Sequence, residues 1–202
     1  MKKVLILCAV MFSLTVYAQS DSTKKERNYA LGLQLGTSVN FINLSFIINP
    51  LITFSNDKHQ FELGPKFFTG YWSESGTRFG VEANYKYFPN SKTTPFSSYL
   101  LVNQEYYYVS RHSSYEDYYS IPNEVHTVIR NSDSHGIAMQ LGYGIQWRFL
   151  RELYISTDVS IGGLYSVTKG SRTSTEPSLN NNWRNSYIEP SFRPSVALGW
   201  RF

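Results

Sequence analysis

Apolar and polar residues alternate along most of the chain, and the longest regular stretch runs from Gly136 to Phe149. Every odd-numbered residue there is Ile, Met, Leu, Tyr, Trp or Phe, and the even-numbered residues are Gly, Ala, Gln and Arg. This alternation predicts a β-strand, because a helix would scatter the apolar positions around its whole circumference. Strands of soluble domains run to about five or six residues, whereas a tilted strand crossing a bilayer needs about 9–11. The length therefore favours a membrane strand.

The same alternation predicts eight strands in all. Their expected bounds are 29–36, 44–54, 60–70, 78–88, 96–110, 136–149, 153–167 and 188–202. The second strand is irregular, because Ile47 and Leu51 fall on the face that we assign to the interior, and Pro50 suits an edge strand or a β-bulge. In the fifth strand we choose the register that turns Asn103 and Glu105 inward.

An even number of strands allows an antiparallel up-and-down sheet to close on itself with both termini at one end. Closure matters because hydrocarbon offers no hydrogen-bond partner to an open sheet edge. The connections Ser55–His59, Pro89–Pro95 and Leu150–Glu152 are short, whereas Arg111–His135 and Thr168–Tyr187 are long and polar. Short turns alternating with long loops are typical of an outer-membrane barrel, whose long loops face the cell exterior.

The N-terminus predicts export. Lys2 and Lys3 precede an apolar run, 4–17, that ends on Ala18 and is followed by the polar segment 19–28. This pattern indicates a cleaved secretory signal peptide covering 1–18, because the run is shorter than the roughly 20 residues of a membrane-spanning helix. The barrel domain is then 29–202. The only cysteine, Cys8, lies within the signal peptide, so the mature chain is expected to have no disulfide and no cysteine-bound metal.

Composition adds a restriction on partners. Loss of two of the 19 basic residues with the signal peptide leaves 17 basic and 15 acidic residues, a formal net charge of +2. Nothing in this balance suggests nucleic acid. The chain also contains 16 Tyr, 13 Phe, 4 Trp and 13 Gly, an aromatic content that suits a membrane barrel but could also occur in a soluble sheet protein.

The predicted inward faces carry charges of both signs. Five are acidic and five are basic: Glu62, Glu82, Glu105, Asp158, Glu189, Lys66, Lys86, Arg148, Arg193 and Arg201. Eight strands leave room for side chains and little else, so we expect these groups to pair, hydrogen-bond and fill the lumen. The alternative is a proton or ion path through the same residues.

The C-terminal strand ends in an aromatic pattern. Ser195, Trp200 and Phe202 match the spacing polar-x-Gly-x-x-aromatic-x-aromatic, with Ala197 in the glycine position. Together with the signal peptide and the eight strands, this ending resembles that of small outer-membrane β-barrel proteins of the Bacteroidota type. The resemblance implies a Gram-negative outer-membrane location, contact with outer-membrane lipids, and a last strand read by the barrel-assembly machinery. It supports fold and location more than activity.

Candidate catalytic groups are few. Some eight-stranded barrels modify lipid A, and one such hydrolase uses a His-x-Ser pair with a nearby acid. The run His112-Ser113-Ser114 followed by Glu116 and Asp117 offers the groups, but it lacks the Asn of that motif and lies in a predicted polar loop. The four histidines, His59, His112, His126 and His135, show no metal-ligand spacing, so we interpret them as solvated loop residues and expect no cofactor.

One predicted loop could bind an extracellular ligand, since aromatic and acidic side chains together suit protein, glycan or cation binding. It contains Tyr115, Glu116, Asp117, Tyr118 and Tyr119. Interfacial tyrosines that stiffen the loop are the simpler interpretation, and Trp183 and Arg184 carry the same ambiguity. The sequence therefore predicts an integral outer-membrane barrel with a structural or loop-binding role and no evident catalysis. A lipid A-modifying hydrolase and a soluble lipocalin-like barrel with inverted faces are the alternatives.

Overall fold

The fold was analysed in a computed structural model, which describes residues 30–40, 45–69, 76–90, 94–117, 126–174 and 180–202. The predicted signal peptide, 1–18, and the polar segment, 19–28, lie outside these ranges. No helix among the described residues is long and apolar enough to cross a membrane.

Eight antiparallel strands form a closed ring, in which each strand pairs with its neighbours in sequence and β1 pairs with β8. The strands are β1 (Ala30–Asn40), β2 (Ser45–Ser55), β3 (His59–Thr69), β4 (Gly76–Tyr87), β5 (Phe96–Asp117), β6 (His126–Arg148), β7 (Leu153–Ser174) and β8 (Asn181–Arg201). The predicted all-β, eight-stranded up-and-down barrel is therefore confirmed. Its short turns and both of its described chain ends lie at one end, which we call the short-turn end.

The strands are staggered around the ring. A path of paired residues that leaves β8 at Val196 returns to β8 at Ser186, ten positions away; it passes through Thr37, Ile48, Phe67, Phe79, Tyr108, His135 and Val167. Such a stagger makes the strands tilt, as closure of a small barrel requires. A tilted ring of eight strands has an interior that side chains can fill.

The two faces of the sheet differ in chemistry. Six outward side chains of β6 are each between 44% and 61% exposed: Ile137, Met139, Leu141, Tyr143, Ile145 and Trp147. Inward side chains are mostly polar or charged and buried, and they include Gln34, Glu62, Lys66, Asn103, Gln140 and Arg193. An apolar exterior around a polar interior suits a barrel surrounded by lipid. It contradicts the soluble lipocalin-like alternative, which required the opposite orientation.

The two segments predicted as long loops, Arg111–His135 and Thr168–Tyr187, are mostly paired strand, so that prediction is wrong. Within them, only 118–125 and 175–179 lie outside the described residues. The physical reason is that both faces of these strand ends carry polar residues, so the two-residue alternation disappears. The hydrogen-bonded ladder continues because it depends on the backbone and not on the side-chain pattern.

The barrel wall is taller on one side. Strands β1–β4 have 11 or 12 residues each, whereas β5–β8 have 21 to 23. The described pairing of β4 with β5 ends at Gly76 and Arg111, and that of β1 with β8 ends at Ser38 and Ser195. Beyond these points, the described residues of β5–β8 pair only with one another. We call residues 111–117, 126–132, 170–174 and 181–183 the extension.

Pro50 lies in a central strand, so the expected edge strand or bulge is wrong. It pairs with Leu35 on β1, while the ladder to β3 is interrupted between Ile48–Phe67 and Ile52–Leu63 and resumes in the same register. Proline cannot donate a hydrogen bond to this ladder. Gly64 faces the gap, where a Cβ would collide with the Pro50 carbonyl, so the glycine allows the two backbones to approach.

Aromatic rings inside the barrel lie over glycines of the neighbouring strand. A Cβ at Gly144 would collide with the Tyr99 ring, and a Cβ at Gly199 would collide with the Tyr154 ring. In each pair the tyrosine and the glycine are directly opposite one another on adjacent strands. The missing side chain gives the ring space to lie along the wall, which is how a narrow lumen holds large aromatic groups.

Candidate functional site

An ion-paired network crosses the middle of the lumen. Arg193 donates from Nη1 to Oε2 of Glu82 at 2.9 Å and to Oε1 of Glu105 at 2.5 Å. Lys66 donates to Oε2 of Glu105, and its Nζ lies 3.8 Å from Oε2 of Glu82. All four side chains are at most 8% exposed. Two cations and two carboxylates therefore share one buried cluster.

The strands that carry this cluster lie on opposite sides of the ring. Arg193 is on β8, and Glu82 is on β4, four strands away in either direction. A contact between them must therefore pass through the lumen. Buried charges are tolerated only when they are paired and hydrogen-bonded, because each one has lost its water. In this cluster each charge contacts at least one opposite charge, and the cluster spans the lumen.

A second network surrounds Glu62 on the short-turn side. Lys86 Nζ lies 2.7 Å from Oε1 of Glu62, and Gln60 donates to the same oxygen at 2.6 Å. Gln34 and Asn84 donate to Oε2 at 3.2 and 3.0 Å. Asn84 also donates to Glu82, so an amide joins the two networks. One buried carboxylate thus accepts from four donors.

The short-turn end of the lumen contains larger side chains. Phe88, Tyr99 and Leu101 form a buried cluster, and the Tyr99 hydroxyl donates to Asp158 at 2.9 Å. Ser195 donates to the other oxygen of Asp158 at 2.5 Å. This carboxylate thus has two hydroxyl groups as hydrogen-bond donors, whereas Glu62, Glu82 and Glu105 each contact a base.

The structure separates the ten predicted interior charges into three places. Seven are buried within the lumen: Glu62, Lys66, Glu82, Lys86, Glu105, Asp158 and Arg193. Arg148 and Arg201 line a small opening at the short-turn end, and Glu189 lines a cavity at the other end. The buried set has four acids and three bases. Sequence reasoning missed the amide donors Asn49 and Asn84, which help to satisfy Glu82 and were recognisable only as inward polar positions.

A cavity of about 270 Å³ opens above the cross-lumen network, toward the extension. Its lining includes Arg78, Arg111, Arg130, Trp183, Tyr187 and Glu189. Sequence reasoning assigned most of these residues to loops and did not single out the three arginines. Their inward direction follows from strand pairing, which the polar sequence of the extension does not reveal.

The C-terminal residues form part of an aromatic rim. Trp200 and Phe202 are half-exposed on the outer face, with ring centroids 5.6 Å apart, and Trp200 Nε1 donates to Glu152 at 3.2 Å. Phe96 stacks on Trp147 at 5.7 Å at the same end. Aromatic rings with a polar edge favour the boundary between lipid and water.

The candidate hydrolase residues lie in the extension of β5. His112 and Ser114, which have the His-x-Ser spacing, are both on the outer face, where His112 contacts Asn131 and Ser114 is opposite Ile129, whereas Ser113 lines the inner cavity. The histidines occupy strands and not loops, so that prediction is wrong. No group of His, Cys, Asp or Glu side chains in the described ranges could hold a metal ion. Of the candidate ligand-binding residues, Tyr115, Glu116 and Asp117 form the last described part of β5. Tyr118 and Tyr119 lie outside the described residues.

Comparison with known proteins yields structural matches alone. No protein-family profile matches the chain, and no curated protein matches it. A major outer membrane protein from Thermus thermophilus aligns with a TM-score of 0.53 and 13% identity, over 87% of this chain and 100% of that chain. The fold is that of an outer-membrane β-barrel. The N-terminal β-barrel domain of Pseudomonas aeruginosa OprF aligns with a TM-score of 0.49 and 8% identity, over 86% of this chain and 97% of that domain.

Proposed function

We propose that this chain is an integral outer-membrane barrel that does not conduct, and that it presents its extension to the cell exterior. The observation that carries the proposal is the buried contact of Arg193 with Glu82 and Glu105 across the lumen. A continuous water path would have to replace these charge-assisted hydrogen bonds with water. Such bonds are stronger than neutral ones, and breaking them leaves buried charges without partners.

The orientation follows from the two ends. Outer-membrane barrels place short turns in the periplasm and longer segments outside the cell. In this barrel the short turns are near Asn56, Asn90 and Leu150, and the extension lies at the opposite end. At the first of these turns, the side chain of Asn56 accepts from the backbone N–H of Lys58 and of His59 at 3.0 and 2.7 Å, a compact Asx turn.

The proposed partners are outer-membrane lipids around the apolar face, the barrel-assembly machinery, and a ligand outside the cell. Export by the signal peptide 1–18 and recognition of Ser195, Trp200 and Phe202 by the assembly machinery are parts of the proposal. So is membership of the Bacteroidota-type group. Support comes from the exposure of Trp200 and Phe202 on the outer face, where a protein in the membrane could contact them. Catalysis is not part of the proposal, because Nδ1 of His112 contacts the amide oxygen of Asn131 and the His112-Ser114 pair lies in the polar extension, beyond the apolar face that would contact lipid.

The test is the conductance of the purified full chain in planar lipid bilayers. The expected result is an insulating bilayer, with insertion checked by the shift in gel mobility between heated and unheated samples. Stable unit conductance of the wild-type protein would overturn the proposal. The double variant Glu82→Gln/Glu105→Gln should conduct more often than the wild type, because it removes the negative charges that hold Arg193 in the lumen.

A matched control is Glu189→Gln. Glu189 is on the same inner surface but in the cavity above the network, so its loss should leave the bilayer insulating. Equal conductance of the control and the double variant would show that the cross-lumen cluster is not what prevents conduction.

A further inference from the structure

The cavity beneath the extension has more positive than negative side chains. Among the described residues that line it, five are basic and two are acidic. Lys66, Arg193 and Glu105 belong to the cross-lumen network. The remaining charged lining residues are Arg78, Arg111, Arg130 and Glu189. A concave surface lined mainly by one sign of charge attracts ligands of the opposite sign.

The arginines are brought together by the register of three strands. Arg78 is opposite Val109 on β5, and Arg111 is two residues further along β5 on the same face. Arg111 is opposite Ser132 on β6, and Arg130 is two residues from Ser132 on that face. Each arginine is therefore a diagonal neighbour of the next, a spacing that long side chains can bridge. A guanidinium has five N–H donors in a planar fork that fits carboxylate, sulfate or phosphate oxygens.

An aromatic ring is built into the same surface. Trp183 on β8 is directly opposite Gly170 on β7, and a Cβ at Gly170 would collide with the indole ring. Because the glycine leaves this space open, the ring reaches across β7 to β6. Arg130 Cζ lies 5.0 Å from the centroid of the ring, a cation–π contact that orients the guanidinium.

A second arginine pair concentrates positive charge further. Arg130 and Arg172 are direct partners across β6 and β7, and both are on the inner face. Arg172 therefore adds a fourth guanidinium to this part of the inner surface, beside Arg78, Arg111 and Arg130.

The rest of the lining supplies hydroxyl groups. Ser113, Ser132, Ser134 and Thr168 line the cavity, and Tyr187 adds an aromatic face with a hydroxyl group. Hydroxyl groups can both donate and accept, which suits a ligand that itself has many hydroxyl groups. The volume of about 270 Å³ is close to the lower limit of the pockets that hold small organic ligands.

We propose that this cavity binds a small anionic saccharide, one that carries a carboxylate or sulfate group. The arginines bind the anionic group, and the hydroxyl groups of the cavity lining bind the hydroxyl groups of the sugar. Trp183 covers one face of the sugar ring. The proposal rests on the proposed function in one respect, that this end of the barrel faces the medium. Binding in detergent and exposure on cells are therefore measured separately.

The test is isothermal titration calorimetry of the full chain in detergent micelles. The probes are glucuronate, glucose 6-sulfate, glucose and inorganic sulfate. One or both of the anionic sugars should bind at least about tenfold more tightly than either glucose or inorganic sulfate, the difference expected from losing one charge-assisted hydrogen bond. The affinity should fall as salt is added, because surface charges are screened. Equal affinity for glucose and both anionic sugars, or no binding of either anionic sugar, would overturn the proposal.

Variants locate the site. Arg130→Gln should weaken binding of the anionic sugars at least about tenfold. Trp183→Phe should weaken the binding of the anionic sugars more than it weakens the binding of inorganic sulfate. The matched control is Arg184→Gln, because Arg184 is next to Trp183 but on the opposite face of β8. Equal loss in Arg130→Gln and Arg184→Gln would place the binding elsewhere and contradict the proposal.

Exposure of the cavity is tested on intact cells. A cysteine introduced by Ser132→Cys should react with a membrane-impermeant maleimide, and glucuronate or glucose 6-sulfate should slow the reaction. Reaction without protection by either sugar would contradict the ligand but leave the orientation intact. No reaction on cells, together with normal binding in detergent, would contradict the orientation and leave the ligand intact.

Discussion

Arg193 on β8 and Glu82 on β4 meet inside the lumen, with Nη1 of the arginine 2.9 Å from Oε2 of the glutamate. The two strands are diametrically opposite in the ring. The contact therefore connects opposite walls of the barrel and also blocks the lumen. Its loss should affect both the stability of the wall and its permeability.

Replacement of Arg193 tests whether this contact stabilises the barrel. Arg193→Met should lower the free energy of unfolding by about 3–5 kcal/mol, because Glu82 and Glu105 would share Lys66 as their remaining cationic partner in the cluster. Urea unfolding in micelles, followed by tryptophan fluorescence, measures the change. The matched control is Arg184→Met on the exposed part of β8, which should change stability little. Similar losses in the two variants would contradict the cross-lumen role.

Arginine substitutions on the outer face test where the membrane ends. Leu141→Arg, in the middle of the apolar face of β6, should cost about 2–4 kcal/mol. Ile129→Arg, on the same face of the same strand but in the extension, should cost about 0–1 kcal/mol because water solvates it there. Unfolding from lipid vesicles gives both values. A large cost at Ile129 would place the extension within the bilayer.

The pairing of Tyr154 with Gly199 predicts a steric coupling. Gly199→Ala should destabilise the barrel by about 1–3 kcal/mol, because its methyl group would overlap a ring that hydrogen bonds to Gln34 and Gln60 hold in place. In a Tyr154→Ala background the same change should cost much less. Urea unfolding of the four proteins completes a double-mutant cycle. Additive effects would contradict the coupling.

Gly163→Ala is the control for that cycle. A Cβ at Gly163 would meet no atom within 4 Å, so the substitution should be neutral or slightly stabilising. Destabilisation as large as that of Gly199→Ala would mean that loss of glycine itself, and not overlap with the ring, explains the effect.

Asp133 predicts a local pH dependence next to the extension, outside the apolar run Ile137 to Trp147 of β6. Hydrogen bonds from the hydroxyl groups of Ser110 and Tyr108 hold the pKa of Asp133 below its ordinary value of 3.8. A carboxyl group with a depressed pKa in the folded state stabilises the protein above its ordinary pKa. That contribution disappears as the pH falls through the lower, folded value. The group is exposed, so the effect on global stability should be small.

Carboxyl chemical shifts measured by NMR in micelles test this prediction. Tyr108→Phe removes one of the two hydroxyl donors and should raise the pKa of Asp133 toward its ordinary value. Tyr165→Phe changes another exposed tyrosine of the outer face and should leave the Asp133 titration unchanged. Identical titration of Asp133 in the wild type and Tyr108→Phe would contradict the assigned cause.

Alternation along the sequence determined the strand number, the closed topology and the two faces wherever one face meets lipid. The run from Ile137 to Trp147 illustrates this, because lipid on one side and packed polar groups on the other demand opposite chemistry at successive residues. From Arg130 to Ser134 every residue is polar on both faces, so the sequence predicts a loop where the structure continues the same strand. Pro50 was assigned to an edge or bulge because local preference cannot show that Gly64 on the next strand makes room for it.

Sequence also placed Glu82, Glu105 and Arg193 on the inward face, but it could not pair them. Which charges meet depends on the ten-residue stagger that accumulates around the ring, and this stagger becomes fixed only when β8 closes on β1. Arg78, Arg111 and Arg130 meet through the register of three neighbouring strands, which the polar sequence of the extension does not reveal. Periodicity is a property of each strand alone, whereas contacts across a lumen are a property of the closed barrel.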